Sequence, residues 1–333
     1  MIKIKNNILS NKTIFLTGGT GSFGNAFVEK TLNKHNPKKI TIYSRDEMKQ
    51  WLMREKFKNF PNVEFIVGDV RDKERLSNVL NDVDVVIHAA ATKIVPTAEE
   101  NPEECIKTNI FGAMNVLSVS IDKKVKKIVA LSTDKASSPI NLYGASKLCS
   151  DKLFVSGNFT NNNKITKSCV VRYGNVMGSR GSVIPFFLQI KKNEKIPITD
   201  INMTRFMISL EDAVELVWFS IYDMHGGEIY VKKIPSMKVI DIAKSIHENP
   251  KFKIIGIRPG EKIHEQMIGS DDSQNTIEYK NYFKILPFIS KNQRKVIKKL
   301  PNNFVYASNT NTEWMKIIEL KNWIKKNKHS FLT

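Results

Sequence analysis

The sequence predicts an α/β chain in which a doubly wound parallel sheet is followed by a smaller C-terminal region. Three observations carry that expectation. Short β-branched runs alternate with helical segments over the first 175 residues, a glycine-rich turn follows the first run, and the alternation stops after Tyr173. Near-continuous apolar strands separated by helices belong to parallel sheets covered on both faces.

The first strand is expected at Thr13–Thr17, with others at Lys39–Tyr43, Val63–Val67, Asp84–His88, Lys127–Ser132 and Lys167–Tyr173. Between them, helical spacing of apolar residues marks Ser22–Asn33, Asp46–Asn59 and Pro102–Ser120. Beyond Tyr173 the stretch 174–185 is rich in Gly and Ser, and Pro197, Pro235, Pro250 and Pro259 punctuate loops between shorter elements. Trp314, Ile317, Ile318, Trp323 and Ile324 then recur at helical spacing over 314–324, so the end of the chain is expected to dock.

Composition narrows the class. With 333 residues, 41% hydrophobic and 26% charged, the chain has ample material for a core and is not a disordered one. No apolar run approaches the roughly 18 residues that span a bilayer, and the start, MIKIKNNILSNK, lacks the apolar stretch of a signal peptide, so a cytoplasmic location is expected. Cys105, Cys149 and Cys169 are odd in number and widely spaced, which fits reduced thiols rather than a disulfide framework or a zinc site. His225 and His264 have no partner at ligand spacing, and no metal is expected. The net charge of +19 is uneven. Lys291, Arg294, Lys295, Lys298, Lys299, Lys316, Lys321, Lys325, Lys326 and Lys328 face only Glu313 and Glu319 in the last 43 residues. No nucleic-acid motif accompanies them, so neither nucleic acid nor membrane is an expected partner, and the basic surface serves to attract phosphate-bearing substrates.

The glycine-rich turn carries the first chemistry. Thr17-Gly-Gly-Thr-Gly-Ser-Phe-Gly24 sets Gly18, Gly21 and Gly24 between the first strand and a helix opened by Ser22 and Phe23. Such glycines allow a tight turn, a close approach to pyrophosphate and close helix–strand packing, and the helix N-terminus favours the anion. The expected organisation is therefore a dinucleotide-binding (Rossmann) domain over 1–179, a mainly substrate-binding region over 180–284 and a basic tail over 285–333. At the tip of the second strand stand Ser44 and Arg45, with Lys49 a turn beyond. A guanidinium there pairs with a 2′-phosphate, which predicts NADP over NAD, while Asp46 keeps NAD open as the alternative. Asp69 and Val70 follow the third strand, where a carboxylate reaches the adenine edge, and Ala89 follows the fourth, beside the nicotinamide ribose. His88, ending that strand, reads as a core histidine.

Tyr143 and Lys147 stand at i and i+4 on one helix face, where an ammonium lowers a phenol towards a usable general base. Ser132 and Thr133 close the fifth strand and offer a hydroxyl to the oxygen being oxidised.

With these residues in place, the sequence resembles the extended short-chain dehydrogenases/reductases, and more closely the inverting UDP-N-acetylglucosamine 4,6-dehydratases that begin pseudaminic acid synthesis. The similarity runs from Thr17 to about Met267, with Tyr306–Trp314 also similar. It is carried by Tyr43-Ser-Arg-Asp46, Leu131-Ser-Thr-Asp-Lys-Ala136, Asn141-Leu-Tyr-Gly-Ala145, Arg172-Tyr-Gly-Asn-Val176, Met203-Thr-Arg-Phe206 and Gly256-Ile-Arg-Pro-Gly-Glu-Lys262. Asp134-Lys135 is the discriminating pair, since retaining dehydratases resemble it but have Asp-Glu. The resemblance implies Lys135 as the base for the sugar C5 proton, Asp134 as the acid for the C6 hydroxyl, and Thr133, Tyr143 and Lys147 at C4. A lysine base needs an amine depressed by burial or by the Lys147 cation.

The resemblance further implies that Lys93 borders nicotinamide and sugar and that Asn175 and Val183 line the cleft. Thr199, Met203, Arg258 and Glu261 would hold the uridine diphosphate. Packing is an equal reading for Thr199 and Met203, and Arg205 either binds phosphate or braces a loop. Three departures stand out: Ile94 replaces the histidine usual in Lys-His-Val-Pro, Met207 stands where an aromatic is common, and the segment between Phe187 and Ile196 is slightly short. The expected activity is NADP-dependent, redox-neutral dehydration of UDP-N-acetylglucosamine to UDP-2-acetamido-2,6-dideoxy-β-L-arabino-hex-4-ulose by a homo-oligomer. The alternatives are a UDP-sugar 4-epimerase, a retaining dehydratase, or a non-catalytic dinucleotide-sensing or nucleic-acid-binding protein.

Overall fold

Each of the six β-branched runs forms a strand in the computed structural model, which describes residues 7–159, 165–191, 193–288 and 300–327. β1 (Thr13–Thr17), α1 (Ser22–His35), β2 (Lys39–Ser44), α2 (Glu47–Lys56), β3 (Val63–Val67), α3 (Lys73–Val79) and β4 (Val85–His88) alternate strictly. α4 (Val95–Glu100) and α5 (Pro102–Ile106) lead through a π-helical turn, Lys107–Phe111, into α6 (Gly112–Asp122). β5 (Lys127–Thr133), a 3-10 turn (Asp134–Ala136), α7 (Leu142–Ser156) and β6 (Lys167–Tyr173) follow. Apart from the long α9, the remainder has shorter elements: β7 (Asn175–Val176), α8 (Val183–Gln189), β8 (Ile196–Ile198), β9 (Thr204–Ile208), α9 (Leu210–Asp223), β10 (Ile229–Lys232) and β11 (Ser236–Lys238). After these come α10 (Val239–Ile246), β12 (Phe252–Ile254), β13 (Gln266–Ile268), α11 (Ser270–Ser273), β14 (Thr276–Glu278), β15 (Tyr282–Ile285), β16 (Tyr306–Ala307) and α12 (Ile317–Asn327).

The central sheet runs β14-β15-β10-β6-β5-β4-β1-β2-β3. Its seven strands from β10 to β3 are parallel, and β15 and β14 add an antiparallel edge. Strand side chains alternate between two cores. Phe15, Val86, Ile128 and Val170 pack with α3, α6 and α7, whereas Ile14, Leu16, Ile87 and Val129 pack with α1, α2 and α9. Such two-sided burial, worth about 1.5–3 kcal/mol per large apolar side chain, is why these strands read as apolar runs. The order reverses between β1 and β4, and a ligand crevice opens at the carboxyl ends of such neighbouring strands.

A third core gathers Met177, Ile184, Phe187, Ile198, Met203, Met207, Met237 and Ile242 around α8 and α10. The chain end docks here, with Leu320 and Ile324 of α12 buried against it. The helix begins at Ile317 rather than at Trp314. Residues 313–315 run extended beside Ser236, whose N–H donates to the Glu313 carbonyl at 2.9 Å while Met315 N–H donates to Ser236 O at 2.9 Å. Trp314 is held by its own indole N–H on Asn311 O at 2.8 Å. Lys291, Arg294, Lys295, Lys298, Lys299 and Lys328 lie outside the described residues. Strand β4 starts one residue later than expected, at Val85; the carboxylate of Asp84 before it accepts from Thr13 N–H and from the Lys126 ammonium.

Candidate active site

The glycine turn between β1 and α1 is shaped by backbone contact. Gly18 has φ +64°, and a Cβ there would meet Ala90 N at 2.6 Å; at Gly24 it would meet Gly19 O at 2.0 Å. The turn thus presses against the Ala89–Ala91 segment on one side and its own helix on the other, with α1 opening towards the crevice. Two further contacts fix the wall opposite. Thr17 Oγ1 lies 2.9 Å from His88 Nδ1, and Asn109, in the π-helical turn, exchanges two hydrogen bonds with the Thr92 backbone and donates to Ser146 Oγ on α7. Burial, with Lys147 nearby, pushes the His88 imidazole down to about 3, so it is a neutral core group. This cradle fits a dinucleotide: backbone N–H groups and a helix N-terminus meet a turn that no side chain can fill.

At the far end of the crevice the polar groups are sorted. Ser44 is buried, and its carbonyl and hydroxyl both accept from Gln50 Nε2. Asp46 is turned back on α2, capping Lys49 N–H at 2.9 Å and pairing with the Lys49 ammonium at 2.6 Å, contacts that hold its carboxyl below the usual range. Arg45 stays exposed, 3.7 Å from Asp69. Asp69 is itself bonded to the Arg71 guanidinium, which outweighs burial and keeps it ionised. Val70 is buried in the core under α6 and shapes the floor by packing.

The side chains expected to react meet where β5 ends. Thr133 Oγ1 donates to Asp134 Oδ1 at 3.0 Å, and Lys135 Nζ donates to the same oxygen at 3.1 Å. Ser132 points away, into a hydrogen bond with Asp151 at 2.8 Å, so Thr133 is the hydroxyl on the site side. On α7, capped by Asn141 Oδ1 on Gly144 N–H, Tyr143 and Lys147 are both buried. Burial pushes the Tyr143 phenol up to about 12, with Lys135 and the Thr133 hydroxyl opposing. Lys135 is thus a cation that favours the Tyr143 phenolate. Lys147 is lowered by burial, with Asp151 opposing.

Lys135 itself departs from expectation. Burial pulls its ammonium down, but Asp134 and Glu265, the latter at 2.9 Å, outweigh it, and the amine is held above the usual lysine range. The second carboxylate comes from a loop 130 residues away in sequence, which is why a depressed lysine was anticipated and an ion-paired one is found.

Across the crevice, Lys93 is exposed with its ammonium on Arg180 O at 3.3 Å, while Arg180 N–H donates to Ser22 Oγ at 3.3 Å. The 178–182 loop thereby bridges the two walls of the crevice, with Asn175 before it and Val183 after it, both half-buried. Asn141 Nδ2 donates to Gly260 O at 2.7 Å and Lys262 Nζ to Ser137 O at 2.8 Å, clasping the 256–262 loop to the start of α7. On that loop Arg258 is exposed and forms a two-point pair with Glu261, which also accepts from Thr199 Oγ1 at 3.2 Å. Met203 packs in the third core. Arg205 is buried and donates to the carbonyls of Thr204, Ile263 and Lys262, the arrangement of a loop brace. Among the described residues no cluster of metal-ligating side chains occurs.

Residues 14–287 match the family model for polysaccharide biosynthesis proteins. The chain belongs to that family, within the extended short-chain dehydrogenases/reductases. The inverting UDP-N-acetylglucosamine 4,6-dehydratase of Campylobacter jejuni serotype O:2 is 52% identical over 325 residues, covering 94% of this chain and 97% of that one. A UDP-glucose 4-epimerase of Rickettsia bellii is 44% identical over 283 residues and covers 83% of each. Among solved structures, Pen from Bacillus thuringiensis is 35% identical, covers 96% of this chain and 99% of its own, and has a TM-score of 0.88. The resemblance anticipated from the motifs holds over nearly the whole chain.

Within this family member, three residues of the site carry no sequence motif of their own. Asn109 pins the 89–93 loop to α7. Asp151 stands one helical turn past Lys147, so i+4 spacing from a singled-out lysine marks it; it joins Arg172 in a buried ion pair at 3.2 Å. Glu265 has no local signal at all.

Proposed function

We propose that this chain is a configuration-inverting UDP-N-acetylglucosamine 4,6-dehydratase that uses NADP. The observation that carries the reading is the Asp134–Lys135 pair, bonded at 3.1 Å beside Thr133 and Tyr143 at the end of β5. Neither simple oxidation nor epimerisation at C4 needs an acid and a base there. The relatives in Campylobacter jejuni, named for this activity, support it. Arg45 supports NADP: it is the exposed cation at the tip of β2, while the neighbouring Asp46 carboxylate is committed to capping α2.

A bound nicotinamide supplies hydride removal from C4 and its return to C6. The chain supplies the proton chemistry. Tyr143 accepts the 4-OH proton, Thr133 orients that oxygen, and Lys147 holds the ribose. Once C4 is a ketone, the C5 proton is acidic because the resulting carbanion is conjugated with it. Lys135 takes that proton and Asp134 gives one to the departing C6 oxygen, which leaves as water. Reprotonation of C5 from the opposite face, by a solvent proton that balances the one Tyr143 gives back to solvent, inverts it. Arg258 and Glu261, with Thr199, form the side of the cleft facing the nucleotide diphosphate. Lys93 and the 178–182 loop close over the sugar. Retained cofactor, a cytoplasmic location and a homo-oligomeric state belong to the same reading. Among the described residues, no helix is long and apolar enough to cross a membrane.

The test is proton NMR of the purified protein with UDP-N-acetylglucosamine in deuterium oxide, without added cofactor. A 4-keto-6-deoxy sugar, deuterated at C5 and inverted there, is the expected product. The Rickettsia relatives favour a second reading, 4-epimerisation; its mark is a 4-epimer that keeps the 6-hydroxyl. No turnover with added NADP⁺ removes the proposed substrate.

A further inference from the structure

Glu265 belongs to none of the motifs, yet it reaches the reacting groups. Its backbone is gripped by Ser308: Glu265 N–H donates to Ser308 Oγ at 2.9 Å, and Ser308 N–H donates to Glu265 O at 2.8 Å. Ser308 is fully buried and lies 2.7 Å from Thr204 Oγ1 on β9. So held, the Glu265 carboxylate is 2% exposed, with Oε1 2.9 Å from Lys135 Nζ and 3.8 Å from Arg205 Nε. Its Oε2 has no hydrogen-bond partner among the described residues. Arg205 gives Nη1 and Nη2 to backbone carbonyls, with Nη2 also 3.7 Å from Glu261 Oε1, and turns Nε towards Glu265. The titratable and charged groups around Lys135 are Asp134 beside it, Tyr143 from α7, Arg205 from β9, and Lys262 and Glu265 from the loop before β13.

We propose, resting on the dehydratase reading, that Glu265 is a positioning residue for the elimination: shared between Lys135 and Arg205, its carboxylate governs when Lys135 is free to pass a proton to Asp134. The transfer runs along the existing hydrogen bond from Nζ to Oδ1, 3.1 Å long. One N–H bond breaks and one O–H bond forms, converting ammonium and carboxylate into amine and carboxylic acid. Those are the two forms that elimination consumes. The amine takes the C5 proton, and the acid protonates the C6 oxygen as its bond to carbon breaks. Elimination therefore returns the pair to the ammonium–carboxylate form found here, and no outside proton is needed to reset it. Two carboxylates on one ammonium oppose the transfer. With Glu265 drawn onto Arg205, only Asp134 remains, and the proton can move.

The experiment follows Lys135 in full-length protein labelled with [13C]lysine. Its 13Cε signal is assigned by its loss in Lys135→Arg and titrated with pH in wild type, Glu265→Gln and Glu265→Asp. The Gln variant keeps an oxygen for the ammonium and loses the charge, so its midpoint is expected at least one pH unit below wild type. The alkaline limb of kcat/KM moves down with it, because the pair loses its one working proton earlier. Glu265→Asp restores most of both. A midpoint unmoved in the Gln variant overturns the inference, as does a lower kcat with the alkaline limb in place, which marks a merely structural residue. Failure of wild type to form any 4-keto-6-deoxy sugar counts against the dehydratase reading instead; the substrate-free titration still decides whether Glu265 governs the Lys135 charge.

Discussion

Replacing Arg172 with methionine removes a fully buried cation whose three contacts span the molecule. Its guanidinium, 1% exposed, pairs with Asp151 at 3.2 Å and Asp272 at 3.1 Å and donates to Met267 O at 2.8 Å. Methionine fills much of the space but leaves Asp151, also 1% exposed, with Ser132 as its hydrogen-bond donor and Lys147 as its nearby cation. Breaking a buried pair from one side costs about 3–5 kcal/mol, a large part of the ~5–15 kcal/mol that holds a typical domain folded. With an unfolding entropy of about 2.1 cal/mol/K per residue, a 333-residue chain that unfolds as one unit carries about 0.7 kcal/mol/K, so a loss of ~4 kcal/mol lowers Tm by roughly 6 °C. The pH dependence has a definite sign. Burial raises the Asp151 carboxyl, and Arg172 and Lys147 oppose that rise, so the substitution raises it further. A carboxyl raised in the folded state binds more protons there than in the unfolded chain, so stability falls as pH climbs from the ordinary carboxyl range through the folded value. The deficit of the variant is therefore smaller near pH 5 than at pH 8. Urea unfolding at both values measures it. Since Asp151 lies one turn beyond Lys147 on α7, kcat falls as well. A deficit under about 1 kcal/mol, or one identical at the two pH values, refutes the reasoning.

Four further outcomes follow from the site. Tyr143→Phe should lower kcat about 10²–10⁴-fold with little change in Tm. Wild-type turnover should climb between pH 6 and 9, because burial pushes the phenol up to about 12 and only its ionised form accepts the 4-OH proton; a flat profile removes Tyr143 as the base. The glycines separate folding from binding. Gly24→Ala drives a Cβ to within 2.0 Å of Gly19 O and should lower Tm as well as dinucleotide binding, whereas at Gly21 the nearest atom is Gly18 O at 3.5 Å, so Gly21→Ala should leave Tm in place and weaken only the dinucleotide, read by fluorescence titration. Arg45→Ala should weaken NADP⁺ roughly 10–100-fold, the equivalent of a charge-assisted bond of about 1.5–3 kcal/mol, with NAD⁺ unchanged; equal losses for both assign Arg45 elsewhere.

Most of the sheet was legible because its determinants are local. A strand buried on both faces is largely apolar and β-branched, so the runs at Thr13–Thr17 and Lys167–Tyr173 could be placed to the residue. The cradle was legible for the same kind of reason: a turn that must admit backbone within 2.0 Å of a Cβ position leaves glycine as the only residue. Tyr143 and Lys147 share a face by helical periodicity alone. The start of α12 was misplaced by three residues because Trp314 fits the helical spacing but is recruited into an extended pairing with Ser236, a contact 78 positions away in sequence.

By itself, then, the sequence determined the parallel sheet, the phosphate turn, the family and the side chains that line the end of β5, since each depends on spacing within a few residues. The tertiary structure alone decided their charges. Lys135 is an ion-paired ammonium rather than a depressed amine because the chain folds Glu265 onto it, and the same fold brings the Lys135 cation to Tyr143. Arg205 becomes a brace because three carbonyls converge on it. Electrostatic interaction depends on distance and on exclusion of water, and both are properties of the folded chain that no local pattern records.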